Sequence, residues 1–135
     1  MFSPTSQLLN NKLTNMYNYP FEKLEVWQLL KKIVVKIYKI TGQFPSDERF
    51  GMVNQMRRAA VSICSNLAEG SGRNTSKDQA YFYNMAYSSL MELLNQLLIA
   101  FDLQWIKENE VAGIRTDLEL VSAKINALRK SILKK

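Results

Sequence analysis

The stretch Arg57–Arg73, RRAAVSICSNLAEGSGR, is the most unusual segment of the chain. Arg58, Ser62, Ser65, Asn66 and Glu69 follow one another at steps of four, three, one and three. At about 100° per residue those steps keep them on one side of a helix. Met56, Ala60, Ile63 and Leu67 form the apolar series on the other side. The polar side chains are short and mixed in sign, unlike a plain solvated face of Lys and Glu. Two readings follow. Ser and Asn face water while Glu69 pairs with Arg73 or caps local backbone groups. Alternatively the stripe meets a neighbouring subunit or a ligand, whose hydrogen-bonding needs specify the contact.

Gly70-Ser71-Gly72 has the composition of a phosphate loop, but it follows a helical pattern and no Gly-Lys-Ser/Thr completes it. It reads as a helix C-cap and turn. A new helical pattern opens just beyond, and its free N–H groups are suited to an anion near Arg73 and Lys77. If four helices alternate up and down, this turn shares an end with the C-terminus. Arg73 and Lys77 then approach Arg129, Lys130, Lys134 and Lys135, a cationic end suited to phosphates. The same C-terminal cations also complement a helix dipole and aid solubility. Lys32, Lys36 and Lys39 read as a solvated outer face of the first helix.

Other chemistry is scarce. The chain has no histidine and one cysteine, Cys64. Ser-His-Asp and Cys-His sites are therefore out, as are Cys/His zinc sites and an intramolecular disulfide. Glu92 and Asp102 are too far apart on one helix for an acid–base pair. Cys64, among apolar neighbours, reads as an inert buried thiol. The expectation is a protein without catalysis, metal or cofactor.

The surrounding sequence supplies helices to position these residues. Three prolines and five glycines in 135 residues leave room for long uninterrupted helices. Hydrophobic residues make up 47% and charged residues 22%, an ordinary globular balance. A net charge of +6 favours polyanionic partners. Residues 1–20, rich in Asn, Ser and Thr, read as a disordered leader closed by Pro20, and residues 21–135 as one domain. No apolar run suggests a signal peptide or a bilayer span, so the cytoplasm is the expected compartment.

Four seams follow. Val26, Leu30, Ile33, Ile37 and Ile40 mark a helix from about Glu22 to Thr41, ended by Gly42 and a Gln43-Phe44-Pro45 turn. Ser46 is placed to cap a second, with Val53, Met56, Ala60, Ile63 and Leu67 as its seam. Ser76 and Gln79 suggest a capping box for a third, with Tyr83, Tyr87, Leu90, Leu94, Leu97 and Phe101 as its seam. Gln104-Trp105-Ile106 turns the chain. A fourth runs from about Glu108 to Leu133 on Ile114, Leu118, Val121, Ile125, Leu128 and Ile132. Short connections between helices of this length predict an all-α, antiparallel, up-down-up-down four-helix bundle. Tyr81, Phe82, Tyr83, Met85 and Tyr87 point nearly all round the third helix, so self-association is the simplest cover for its outer side.

FEKLEVWQ (Phe21–Gln28), FPSDERFGMVNQMRRAAVSICSNLAEGSGR (Phe44–Arg73) and the aromatic third helix together resemble a bacterial family of four-helix-bundle proteins. Its members were first recognised as reading frames in intervening sequences of 23S ribosomal RNA genes. The resemblance spans about residues 21 to 133. It implies a ring-like homopentamer and a likeness to the accessory protein of diversity-generating retroelements, a basic pentamer that binds nucleic acid and partners a reverse transcriptase. The family's polar signature falls on Arg57, Arg58, Ser62, Asn66, Glu69, Gly70, Gly72 and Arg73. Where the family often has proline after Ser-Ile, this chain has Cys64, so the second helix is expected to run straighter.

The resulting expectation is a non-enzymatic homo-oligomer that binds RNA or DNA. Arg73, Lys77, Arg129, Lys130, Lys134 and Lys135 contact phosphates in this reading. Arg57, Arg58, Ser62, Asn66, Glu69, Gly70 and Gly72 form the signature surface or subunit contact. The alternative is a protein-interaction scaffold whose basic charge is incidental.

Overall fold

The computed structural model describes residue 12 and residues 15–134. Most of the expected leader, and Lys135, lie outside the described residues. Four α-helices dominate: α1 (Glu25–Thr41), α2 (Asn54–Ser71), α3 (Ser76–Asp102) and α4 (Glu108–Leu133). There is no strand among the described residues. The helices surround one apolar core, as expected from their seams.

Every seam residue of α1, and every one named for the second segment, is buried. Val53 is buried just ahead of α2, which adds Ala59. On α4 the seam holds except at Leu128, which is half-buried, and Val111 joins it. The α3 seam differs. Tyr83, Leu90 and Leu97 are buried, whereas Tyr87, Leu94 and Phe101 are half-buried. Ala86, Ser89, Leu93, Gln96 and Ala100 complete its buried side. This helix packs extensively on both α2 and α4, so it buries a broad arc that small residues help to fill.

The second segment does not begin as an α-helix at Ser46. A 3₁₀ turn, Ser46–Glu48, leads into a π turn, Arg49–Val53, and Gly51 takes a non-helical φ of −102° and ψ of −111°. Glu48, not Ser46, supplies a cap: its carboxylate accepts from the Met52 N–H at 3.3 Å. At the third helix Thr75 is the N-cap, and its hydroxyl accepts from Asp78 N–H at 3.1 Å. Ser76 is the first helical residue. Pro20 opens a short 3₁₀ turn, Pro20–Lys23, in place of the first turn expected for α1. With Cys64 at the position in question, α2 runs as a single α-helix from Asn54 to Ser71.

The turn after α3 is a Schellman-type closure. Trp105 N–H donates to Ala100 O at 3.0 Å and Gln104 N–H to Phe101 O at 2.9 Å, with Gln104 at φ 66°. Trp105 then packs on buried Phe44, ring centroids 5.3 Å apart, tying this turn to the one after α1. Phe44, expected in a plain turn, is therefore part of the core.

Side-chain pairs record which levels of the helices meet. Between α2 and α3, Ser62 Oγ lies 2.8 Å from Ser89 Oγ, and Gly70 lies against Tyr83. Between α1 and α4, Glu25 meets Lys124 at 3.1 Å and Lys36 meets Asp117 at 2.8 Å. Lys36 is thus anchored to α4 and is not simply part of a solvated lysine face. Arg57 joins α2 to the last turn of α1.

Candidate nucleic-acid interface

Two of the expected phosphate contacts are held by aromatic rings of one helix. The Arg73 guanidinium lies 4.5 Å from the Phe82 ring centroid, and that of Arg129 lies 4.9 Å from Tyr87. Both rings belong to α3. Stacking holds the flat side of a guanidinium and leaves donors along its edge for a phosphate. Arg129 also donates to Asn126 Oδ1 at 3.0 Å. The Arg73 carbonyl accepts from Gln79 Nε2 at 3.2 Å, which fixes the turn leading into α3. Lys77, Lys130 and Lys134 are exposed. Among the described residues none of these five cations has an ion-pair partner within 4.0 Å. Lys135 falls outside the described residues.

The signature residues divide into two groups. Arg57 is an internal tie: Nε donates to Thr41 Oγ1 at 2.9 Å and Nη2 to the Tyr38 carbonyl at 3.1 Å. Its guanidinium also stacks on Tyr38 at 4.6 Å. A cation there meets the negative end of the α1 dipole, at a Tyr38 carbonyl that also accepts from Gly42 N–H at 3.1 Å. Asn66 Nδ2 donates to Ser62 O at 2.9 Å and to Ser62 Oγ at 3.1 Å, leaving the Ser62 hydroxyl free to donate to Ser89. Ser62 and Asn66 therefore help join α2 to α3. Gly70 is buried, and a Cβ there would come within 2.7 Å of Tyr83 Cε1 and 3.0 Å of Phe82 Cβ. Gly72 is the α2 C-cap at φ −93°, an ordinary right-handed conformation.

Arg58 and Glu69 form the second group. Both are exposed and without an ion-pair partner among the described residues. The pairing of Glu69 with Arg73 weighed from the sequence does not occur. Both line an open groove of about 700 Å³ with Tyr38, Val61, Ser65 and Asn66. Arg58 also borders a smaller hollow of about 370 Å³ containing Gln55, Ser62 and Glu92.

Reactive groups are few. Burial pushes the Cys64 thiol from 9.0 up to about 11, although Lys31 pulls it slightly back. Burial also raises the Tyr83 phenol. A thiol this basic is protonated at neutral pH and a poor nucleophile. Among the described residues no group of three His, Cys, Asp or Glu side chains is placed to hold a metal ion. No described helix is long and apolar enough to cross a membrane.

The sequence reading missed the rings of Phe82 and Tyr87 as supports for the cations. Its signal was available in part: Phe82 lies nine residues after Arg73, across a turn. The Arg129–Tyr87 contact spans two helices and has no local signature.

These features define an all-helical protein with four long helices, a polar signature on the second and stacked arginines against the third. The model of the 23S rRNA-intervening sequence protein family matches residues 22–127, and the chain belongs to that family. The crystal structure of a protein of unknown function from the S23 ribosomal protein family of Bacteroides thetaiotaomicron VPI-5482 has a similar fold. It aligns at a TM-score of 0.72 and 19% identity over 78% of this chain and 95% of that one. Comparison with curated proteins gives no match.

Proposed function

We propose that this chain is a non-enzymatic, homo-oligomeric protein that binds RNA or DNA through its phosphates. The observation that carries this reading is the pair of arginines, Arg73 and Arg129, over Phe82 and Tyr87 of one helix, neither with an ion-pair partner among the described residues. Stacking restricts both side chains before a ligand arrives, so less freedom is lost on binding. Lys77, Lys130, Lys134 and Lys135 extend the same cationic set. An antiparallel up-down-up-down course supports that grouping. It agrees with the paired levels Ser62–Ser89 and Gly70–Tyr83, and with Glu25–Lys124 and Lys36–Asp117. In this reading the chain is cytoplasmic and assembles as a homopentamer, with exposed Met85 among the apolar side chains left on α3.

Recognition is directed at the backbone, with no base-reading helix in a groove. The test is fluorescence anisotropy with RNA and DNA while Arg73, Lys77, Arg129 and Lys130 are replaced together by alanine. Loss of binding in a folded variant supports the reading, and undiminished binding overturns it.

The groove on α2 favours a second reading, a scaffold for a protein partner. A reverse transcriptase is the partner suggested by likeness to the retroelement accessory protein. Arg58 and Glu69 then lie in the docking surface. Arg58→Ala and Glu69→Ala would weaken partner capture and leave nucleic-acid affinity unchanged. If they weaken nucleic-acid binding instead, this second reading fails.

A further inference from the structure

The aromatic side chains of α3 differ in what covers them. Tyr83 is buried, and Phe82 and Tyr87 are half-buried beneath arginines. Tyr81 is 59% exposed. It stands edge-to-face with Phe82, centroids 5.2 Å apart and planes at 89°. Phe82 in turn carries the Arg73 guanidinium. Lys77 is also exposed and lies one helical turn before Tyr81, so the two side chains share a face of α3. The open ring thus has Lys77 on its own face and Arg73 beyond the adjoining Phe82 ring, neither with an ion-pair partner among the described residues. Asp78 lies three residues before Tyr81 and four before Phe82, so one carboxylate shares this face with the two rings.

The other exposed rings lack this combination: Tyr17 and Tyr19 stand edge-to-face with each other, centroids 5.0 Å apart, and among the described residues no cation lies over either ring. Tyr38 faces Arg57, whose donors already serve the end of α1. Phe50 has only Arg49, more loosely placed at 5.8 Å. A cation track flanking an exposed ring is the arrangement used to bind unpaired strands: phosphates meet the cations while a base stacks on the ring. A duplex keeps its bases stacked internally and offers such a ring nothing.

We infer that Tyr81 is a base-stacking platform and that the ligand of the Arg73–Lys77 surface is single-stranded nucleic acid. This rests on the nucleic-acid reading above and adds the strand state and the residue that senses it. The Phe82 contact steadies Tyr81, and its hydroxyl is not required for stacking.

The experiment uses the full chain and labelled oligonucleotides of about 12 nucleotides, within the site sizes of single-strand binders, as single strands and as a blunt duplex of the same sequence. Tyr81→Ala should weaken single-strand binding by roughly 5- to 150-fold, the usual loss for one stacked base, and leave duplex binding unchanged. Tyr81→Phe should retain wild-type affinity. Light scattering should give the same oligomeric state for all three proteins. The inference is overturned if Tyr81→Ala binds single strands as tightly as wild type, or loses both strand forms equally. It is also overturned if Tyr81→Ala changes the oligomeric state, because the ring then packs between copies. Should the wild-type chain bind neither form, the nucleic-acid reading itself fails. Duplex binding with no Tyr81 effect removes only the platform.

Discussion

Replacing Gly70 by alanine sets two opposing terms against each other. In a helix, alanine is favoured over glycine by about 1 kcal/mol, less near an end. Against that, the added methyl would come within 2.7 Å of Tyr83 Cε1 and 3.0 Å of Phe82 Cβ. Tyr83 is only 3% exposed and has little room to retreat. Reaching an ordinary contact requires α2 and α3 to separate by several tenths of an ångström, and overpacking of this kind costs roughly 1–3 kcal/mol. The steric term wins, and Gly70→Ala should lose about 1–2 kcal/mol, on the order of 3–8 °C in Tm. Gly113→Ala is the control, since a Cβ there meets nothing within 4 Å. It should gain about 0.5–1 kcal/mol from propensity alone. Urea and thermal denaturation of both variants give the two signs. A Gly70→Ala protein as stable as wild type would refute the argument that close approach dictates glycine at this position.

Further outcomes follow from single contacts. Arg57→Ala should cost about 1–3 kcal/mol in urea denaturation by removing charged donors from Thr41 Oγ1 and the Tyr38 carbonyl, and lysine should restore only part of it. Gln104→Gly should stabilise by roughly 0.5–1 kcal/mol, because Gln104 holds φ 66° in the turn after α3, and a lower Tm would contradict this. Cys64 should react slowly with a thiol reagent at pH 8 in the native protein, and faster as pH rises towards about 11. The sign for stability is the same: burial favours the neutral thiol, so its contribution is intact below pH 9 and declines between pH 9 and about 11. A folded protein that reacts at the denatured rate at pH 8 would contradict that burial effect.

The sequence made α1 and α4 plain because their apolar residues recur in one narrow stripe. The α3 pattern was harder to read. Scanning for large side chains selected Tyr87, Leu94 and Phe101, while close packing on two sides places Ala86, Ser89 and Ala100 inside. Small residues at a tight interface contribute little to a hydrophobic count. The entry to α2 was obscured for another reason: Val53 and Met56 keep a helical spacing across a π turn, so periodicity alone does not reveal Gly51. Gly70 and Gly72 were legible as a helix end, but the ring contact that keeps Gly70 small comes from a different helix. Arg57 illustrates the same limit. Its acceptors lie 16 and 19 residues earlier and meet it only once α1 and α2 pack.

If Arg73 and Arg129 meet phosphates, removing them must flatten the salt dependence of binding. For each protein, the affinity for single-stranded RNA is measured across a range of salt concentrations. Each phosphate contact contributes roughly 0.9 to the slope of log affinity against log salt on duplex DNA and roughly 0.7 on a single strand. The Arg73→Ala, Arg129→Ala double variant should therefore have a slope shallower by about 1.4, together with weaker binding at every salt concentration. An unchanged slope in a folded double variant would contradict the account and place the phosphate contacts elsewhere on the protein.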